Sequence, residues 1–163
     1  MFLQICHMQF EVDMVRTMEY SALEAAEHCT CAYCRNFYAA VDVYYPRLRP
    51  FLGQFGVDIE APEEQLPYDC CGGMIYDSSY RVYGKVLSKG NGELLADDVV
   101  IRVVEDADGG EENNCFFTLE FDLSLPWVLD EPMSETLSPA NNPDFLELMQ
   151  DRLLARSKRK EQS

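Results

Sequence analysis

Phe117, Leu119, Phe121, Leu123 and Leu125 alternate with Thr118, Glu120, Asp122 and Ser124, and Pro126 closes the run. Successive side chains of an extended chain point to opposite faces, so this pattern makes a strand with one apolar face and one polar face. Such a strand needs partner strands beside it and a second layer over its apolar side. Two other stretches suit it as partners. Met8, Phe10, Val12 and Met14 alternate with Gln9, Glu11 and Asp13, which puts Cys6 on the same inward face. Tyr80, Val82 and Val86 lead through a Lys89-Gly90-Asn91-Gly92 turn to Val99, Ile101 and Val103, backed by Val100 and Val104. Asp106 to Asn114 is a polar, glycine-bearing hairpin connection.

From Ala32 the apolar spacing becomes helical. Phe37, Val41, Tyr44, Leu48, Leu52 and Phe55 recur at steps of three and four, which predicts one long helix bent at Pro46 and Pro50 and ended by Gly56. Ahead of it, Ser21-Ala22-Leu23-Glu24 has the spacing of a capping box and predicts a short helix to Glu27. Val57 to Asp69, with Pro62 and Pro67 among acids, reads as a loop delivering Cys70-Cys71-Gly72-Gly73.

Strands that follow one another, instead of alternating with helices, imply antiparallel pairing. The expected fold class is therefore α+β: an antiparallel sheet of about four strands packed on one long bent helix, with a C-terminal helical tail. Its boundaries are a single domain over residues 1–128, a proline-bearing linker over 129–143, and a terminal helix with a basic tail over 144–163. Asn142-Pro143-Asp144 is a helix start, and the helix presents Phe145, Leu148, Met149 and Leu153. Such a helix docks on its own body or enters the groove of a partner.

At 163 residues and 47% hydrophobic content the chain suits one folded domain. Its formal charge is −16, and the segment from Arg152 to Ser163 holds five of the 13 basic residues (Arg152, Arg156, Lys158, Arg159, Lys160) and one acid. The body is thus more acidic than the whole. Between Arg49 and Arg81 lie six acids (Asp58, Glu60, Glu63, Glu64, Asp69, Asp77) and no Lys or Arg. Such a field repels nucleic acid, which proteins bind largely through Lys and Arg, so the body is not expected to bind it directly. A basic protein is the natural partner; high negative charge also serves solubility alone.

Three thiols fall within six residues, at Cys29, Cys31 and Cys34, and a vicinal pair follows at Cys70 and Cys71. Zinc takes four ligands at tetrahedral angles, and short Cys-x-x-Cys spacing lets one turn supply two of them. Cys31 and Cys34 meet that requirement, Cys29 adds a third ligand, and Cys70 or Cys71 supplies a fourth, with His28 as its substitute. Free thiols packed at a helix end are the plain reading of the same residues. A helix N-terminus also lowers thiol pKa values, which suits ligation and reactivity alike. Cys31-Ala32-Tyr33-Cys34 at a helix start resembles the thioredoxin placement. That fold, however, sets its motif after a buried strand of a βαβ unit, whereas the strands here run consecutively.

Other catalytic machinery is missing from the sequence. There are two histidines, neither in a zinc-protease helix motif, and no phosphate-cradling glycine loop. Met1 to Phe10 has no basic residue ahead of its apolar positions, no apolar run nears membrane-spanning length, and the cysteine count is odd at seven. The expected setting is a reducing cytoplasm, away from membranes.

The run Cys29-Thr-Cys31-Ala-Tyr-Cys34-Arg-Asn36-Phe37, the helix end Phe51-Leu52-Gly-Gln-Phe55-Gly56-Val57-Asp58, and the closing Leu125-Pro126-Trp127-Val128-Leu129 together resemble a small bacterial protein family. Its members share a Cys-x-Cys-x-x-Cys-x-Asn-aromatic motif and a Leu-Pro-Trp-Val-Leu strand. The resemblance covers roughly residues 29 to 130 in pattern and implies no particular chemistry. The region after Glu131 departs from the family.

The function expected from these features is non-enzymatic: an acidic protein-binding module, probed by analogy with anti-defence and immunity inhibitors of basic or nucleic-acid-binding proteins, stapled by cysteine-ligated zinc. Asp58, Glu60, Glu63, Glu64 and Asp69, with Phe145, Leu148 and Met149, are its candidate partner contacts. The alternative is a metal-dependent hydrolase, or a thiol redox protein, built on Cys29, Cys31 and Cys34.

Overall fold

The alternating segment forms a central strand. In the computed structural model, which describes residues 1–70, 73–105 and 115–133, the chain runs β1 (Phe2–Ile5), β2 (Met8–Val12), α1 (Met14–Ala26), α2 (Ala32–Tyr44), α3 (Leu48–Gly53), β3 (Glu64–Cys70), β4 (Gly73–Ser88), β5 (Glu93–Ala96), β6 (Val99–Glu105) and β7 (Phe116–Leu125). β7 pairs with β4 on one side and β6 on the other. The strand order is β1-β2-β4-β7-β6-β5, with β3 also on β4, and every pairing is antiparallel.

This corrects the expected architecture. Among the described residues the sheet has seven strands, not about four, and no long bent helix covers it. The apolar stripe over residues 37–55 is real: Phe37, Val41, Leu48, Leu52 and Phe55 are all fully buried. Two separate helices carry it. Tyr45 ends α2 at φ −133° and ψ 67°, because a residue before proline is pushed out of the helical region and Pro46 has no N–H to continue the ladder. Tyr44, expected on the stripe, is 52% exposed.

The first helix also starts earlier than the capping box implies. Asp13 caps it, its carboxylate accepting the Arg16 N–H at 3.1 Å. That ends β2 at Val12 and leaves Ser21 buried in mid-helix, where its hydroxyl accepts the Asp58 N–H at 2.9 Å. Cys6 is not a core residue. It sits exposed in the β1–β2 turn at φ +53°.

β4 is shared by two neighbours on one side: Gly73–Ser79 pair with β3, and Gly84–Ser88 with β2. α1 fills the gap between them. Asp13 donates its N–H to the Tyr83 carbonyl at 2.8 Å, and the Thr17 hydroxyl accepts the Tyr83 N–H at 3.0 Å. The segment expected as a loop, 57–69, ends as an edge strand, where Pro67 is tolerated because an edge residue need not donate on its outer side.

One face of the sheet holds the core. Phe10, Phe55 and Phe117 form a three-ring cluster, and Tyr80 stacks on Phe121. Each fully buried ring of this size contributes roughly 1.5–3 kcal/mol over its exposed state. None of the described helices is long and apolar enough to cross a membrane. Residues from 134 onward, including most of the expected linker and the terminal helix with Phe145, Leu148 and Met149, lie outside the described residues.

Candidate metal centre

The cysteine cluster sits where the connection from α1 becomes α2. Cys31 is the N-cap, extended at φ −64° and ψ 163°, with no side-chain capping bond. One helical turn carries Cys34 back toward it, and Cys29 folds over the same end. The three sulfurs all lie within 4.8 Å of one another. Two thiolates on a tetrahedral zinc at about 2.3 Å each stand roughly 3.8 Å apart, so the donors fit such an ion with small adjustments.

The local electrostatics differ along the trio. Cys29 is exposed and its thiol is held below the usual range, chiefly by the Cys31 backbone N–H, which points at its sulfur from 3.5 Å. Cys34 is buried, and loss of solvent pushes its thiol well up, with the negative charge of Cys31 adding to the effect. A cation at the centre would offset the effect of burial by pairing with the charged form.

Two residues hold the loop in this shape. Tyr38 donates its hydroxyl to the Cys29 carbonyl at 3.1 Å, and the Arg35 Nε donates to the Thr30 carbonyl at 2.9 Å. The His28 ring stacks on Tyr38, with centroids 4.8 Å apart, and lies outside the trio.

Behind the cluster, the helix end is fixed to the sheet by a fully buried asparagine. Asn36 Nδ2 donates to the Tyr76 hydroxyl at 3.2 Å and to the Pro126 carbonyl at 3.1 Å. Its Oδ1 accepts the Val128 N–H at 2.7 Å. Tyr76 in turn donates to the Tyr33 carbonyl at 2.6 Å, and Trp127 meets Tyr33 edge to face. The Cys-x-x-Cys-x-Asn run and the Leu-Pro-Trp-Val-Leu run, 90 residues apart, are thus one structural unit.

The remaining candidates divide. The side chain of Cys70 and all of Cys71 lie outside the described residues. The backbone register nonetheless sets Cys70 opposite Gly73, beside the Met74–Leu125 pair. β3 therefore ends and β4 begins at the end of the sheet where Pro126 and Trp127 meet α2. Of the acids, Asp58 and Glu60 are engaged within the molecule by Arg49, at 3.4 and 3.3 Å, and Arg49 also grips Asp42. Glu63 is paired with Arg81. Glu64 is exposed and Asp69 half-buried on β3.

Sequence reasoning missed the Arg49 hub, since its partners lie 7 to 11 residues away with no regular spacing. It also missed the roles of Tyr76 and Asn36, although the asparagine was visible as part of the motif. Comparison with protein-family models, with curated proteins and with solved structures found no match to this chain.

Proposed function

We propose that this chain is a non-enzymatic, zinc-binding module that recognises a basic protein, of the kind that inhibits a nucleic-acid-binding partner. The convergence of three sulfurs at the α2 N-terminus supports the metal. Zinc there is a structural staple, tying the α1–α2 connection to a helix end already locked to the sheet by Asn36. The fourth ligand is Cys70 or Cys71, where the chain passes from β3 to β4. The formal charge of −16 supports the partner class: carboxylates stand where a basic protein otherwise meets phosphates.

The test is native mass spectrometry of protein purified without chelator, with a count of alkylatable thiols. One zinc per chain, lost on Cys31→Ser or Cys34→Ser and on one of Cys70→Ser or Cys71→Ser, is the expected result. Metal-free protein with every thiol reactive defeats the staple. Salt-insensitive binding, or none, to basic proteins captured on the immobilised chain defeats the partner class.

A second reading has its own support, the exposure of Cys31 at the helix cap against the burial of Cys34 one turn later. An outer thiol and a sheltered one in this relation form a dithiol–disulfide couple. Both thiols lose a proton and an electron to form the Cys31–Cys34 bond, and a partner disulfide takes them up to become two thiols. A measured two-electron reduction potential with no bound metal selects this reading over the first.

A further inference from the structure

α1 is set on the sheet inside out. A helix lying on a domain ordinarily turns an apolar stripe inward and polar residues to water. Here the fully buried positions are Thr17 and Ser21, and each hydroxyl holds a backbone amide of the body, Thr17 that of Tyr83 and Ser21 that of Asp58. Val15, Met18 and Leu23 are instead 68%, 56% and 69% exposed. With exposed Ala22 and Ala26 they form a stripe: Val15, Met18, Ala22 and Ala26 recur at steps of three and four, and Leu23 stands beside them. The stripe runs the length of a 13-residue helix, about 20 Å.

The shape of the stripe suits a second helix. Alanines at 22 and 26 let another backbone come close, while Met18 and Leu23 stand out as knobs on either side of that shallow stretch. The stem of Met18 is supported from below, since a Cβ at Gly56 would stand 3.2 Å from its Cγ. The charge around the stripe then selects the occupant. Glu19 lies within it and Glu27 at its end; both are exposed, and neither carboxylate is in an ion pair with a described cation. Arg16, the one cation of the helix, is laid over the Tyr83 ring at 4.0 Å. A second copy of the chain would bring the same carboxylates against these, and like charges across a desolvated contact oppose that pairing. Anionic lipid headgroups are repelled in the same way.

We propose that the outer face of α1 docks an amphipathic helix of a basic partner, whose apolar side chains pack on Val15, Met18 and Leu23 and whose Lys or Arg residues flank them at Glu19 and Glu27. The inference rests on the basic-partner reading above and adds where that partner binds and in what form. It stands whether or not the cysteines hold a metal. The hydroxyl ties of Thr17 and Ser21 explain why the helix can keep this face outward: its place on the sheet is set by polar bonds to backbone, which leaves the apolar stripe for another molecule.

The probe is a synthetic leucine–lysine peptide with its leucines at steps of three and four, compared by fluorescence anisotropy with a scrambled peptide of the same composition. The full chain should bind the amphipathic peptide at least about tenfold more tightly than the scrambled one. The double variant Met18→Glu, Leu23→Glu should erase that difference. Because it adds two negative charges, a purely electrostatic contact would tighten instead. Val43→Glu with Leu95→Glu adds the same charge at exposed apolar positions elsewhere and should keep the difference. Equal binding of both peptides by the wild-type chain overturns this docking face and leaves the basic-partner reading in place; binding of neither defeats both. A dimer in sedimentation that the Met18→Glu, Leu23→Glu variant splits makes a second copy the occupant and also overturns the proposal. Hydroxyl-radical footprinting of the wild-type chain gives a readout that does not depend on how the variants fold. Oxidation of Met18 and Leu23 should be high in the free chain and fall several-fold with the amphipathic peptide. Low oxidation in the free chain, as when its own segment covers the stripe, or no change on binding overturns it.

Discussion

The side-chain carbonyl of Asn36 accepts the Val128 amide hydrogen at 2.7 Å, joining positions 92 residues apart in the chain. Two donor bonds from the same amide, to Tyr76 and Pro126, use both of its hydrogens. A buried backbone group that loses its partner costs about 1–3 kcal/mol, and Asn36 serves two that are partly buried. Asn36→Ala should therefore destabilise the fold by about 3 kcal/mol in urea unfolding, and Tyr76→Phe by about 1 kcal/mol. A change below about 0.5 kcal/mol for Asn36→Ala would mean the clamp is ornamental.

Gly84 marks a close backbone approach in the sheet. It has φ +148°, and a Cβ there would sit 2.0 Å from the Glu11 carbonyl oxygen. β2 and β4 meet at this point through the Val12–Gly84 pair, so the methyl group can be accommodated only by pulling the strands apart. Gly84→Ala should cost about 3 kcal/mol or more, through both strain and lost pairing. Gly53, in α3 with open space around it, is the internal control. Gly53→Ala should be neutral or stabilise by up to about 1 kcal/mol, because it restricts the unfolded chain. Thermal melts of the two variants side by side check the contrast.

Zinc bound by thiolates competes with protons for the same sulfurs, so its affinity falls as pH falls. Burial holds Cys34 in its protonated form beyond the usual thiol range, which makes this residue a principal source of the proton released on binding. Competition titration with a chromogenic chelator should show affinity weakening steeply on acidification, and a melting temperature that drops when the chelator strips the metal. Cys29→Ser and Cys31→Ser should each weaken binding by at least about tenfold, a loss of roughly 1.4 kcal/mol. Cys6→Ser, in the β1–β2 turn, should leave affinity unchanged.

What the sequence revealed follows from which signals survive locally. The alternation of Phe117 to Leu125 is legible because every other residue meets one continuous core. β4 was half hidden for the opposite reason. Asp77, Ser78 and Ser79 interrupt its pattern, and they are buried by neighbours that local periodicity does not reveal. β3 was masked by Pro67 and its acids, since its place is assigned by pairing with β4 and not by its own propensity. The stripe from Phe37 to Phe55 marks a buried face at every position but Tyr44, and it does not mark one helix, because burial repeats survive a break of a few residues. Ser21 looked like a cap because capping and buried hydrogen bonding use the same hydroxyl. The cysteine trio was legible because Cys31 and Cys34 are one helical turn apart. The contribution of Asn36 was not, because its partners are set by the path of β7.

Alkaline pH should expose the polar ties of the core. Tyr80 donates its phenol to the Ile59 carbonyl at 2.7 Å and Tyr76 donates to Tyr33 at 2.6 Å. Desolvation pushes both phenols above the usual tyrosine range, and the negative charge of Asp58 adds to it for Tyr80. For an acid whose folded-state pKa is raised, the neutral form is favoured by folding. Its contribution is fully present below the unfolded value of about 10 and is lost as pH climbs from there toward the folded value. Stability measured by urea unfolding should thus hold level to about pH 9 and fall beyond pH 10. Tyr80→Phe should start from lower stability at pH 7, having lost one buried bond, and then lose less on the way to pH 11. A wild-type curve parallel to that of Tyr80→Phe across this range would show that Tyr80 ionisation does not govern the alkaline limit.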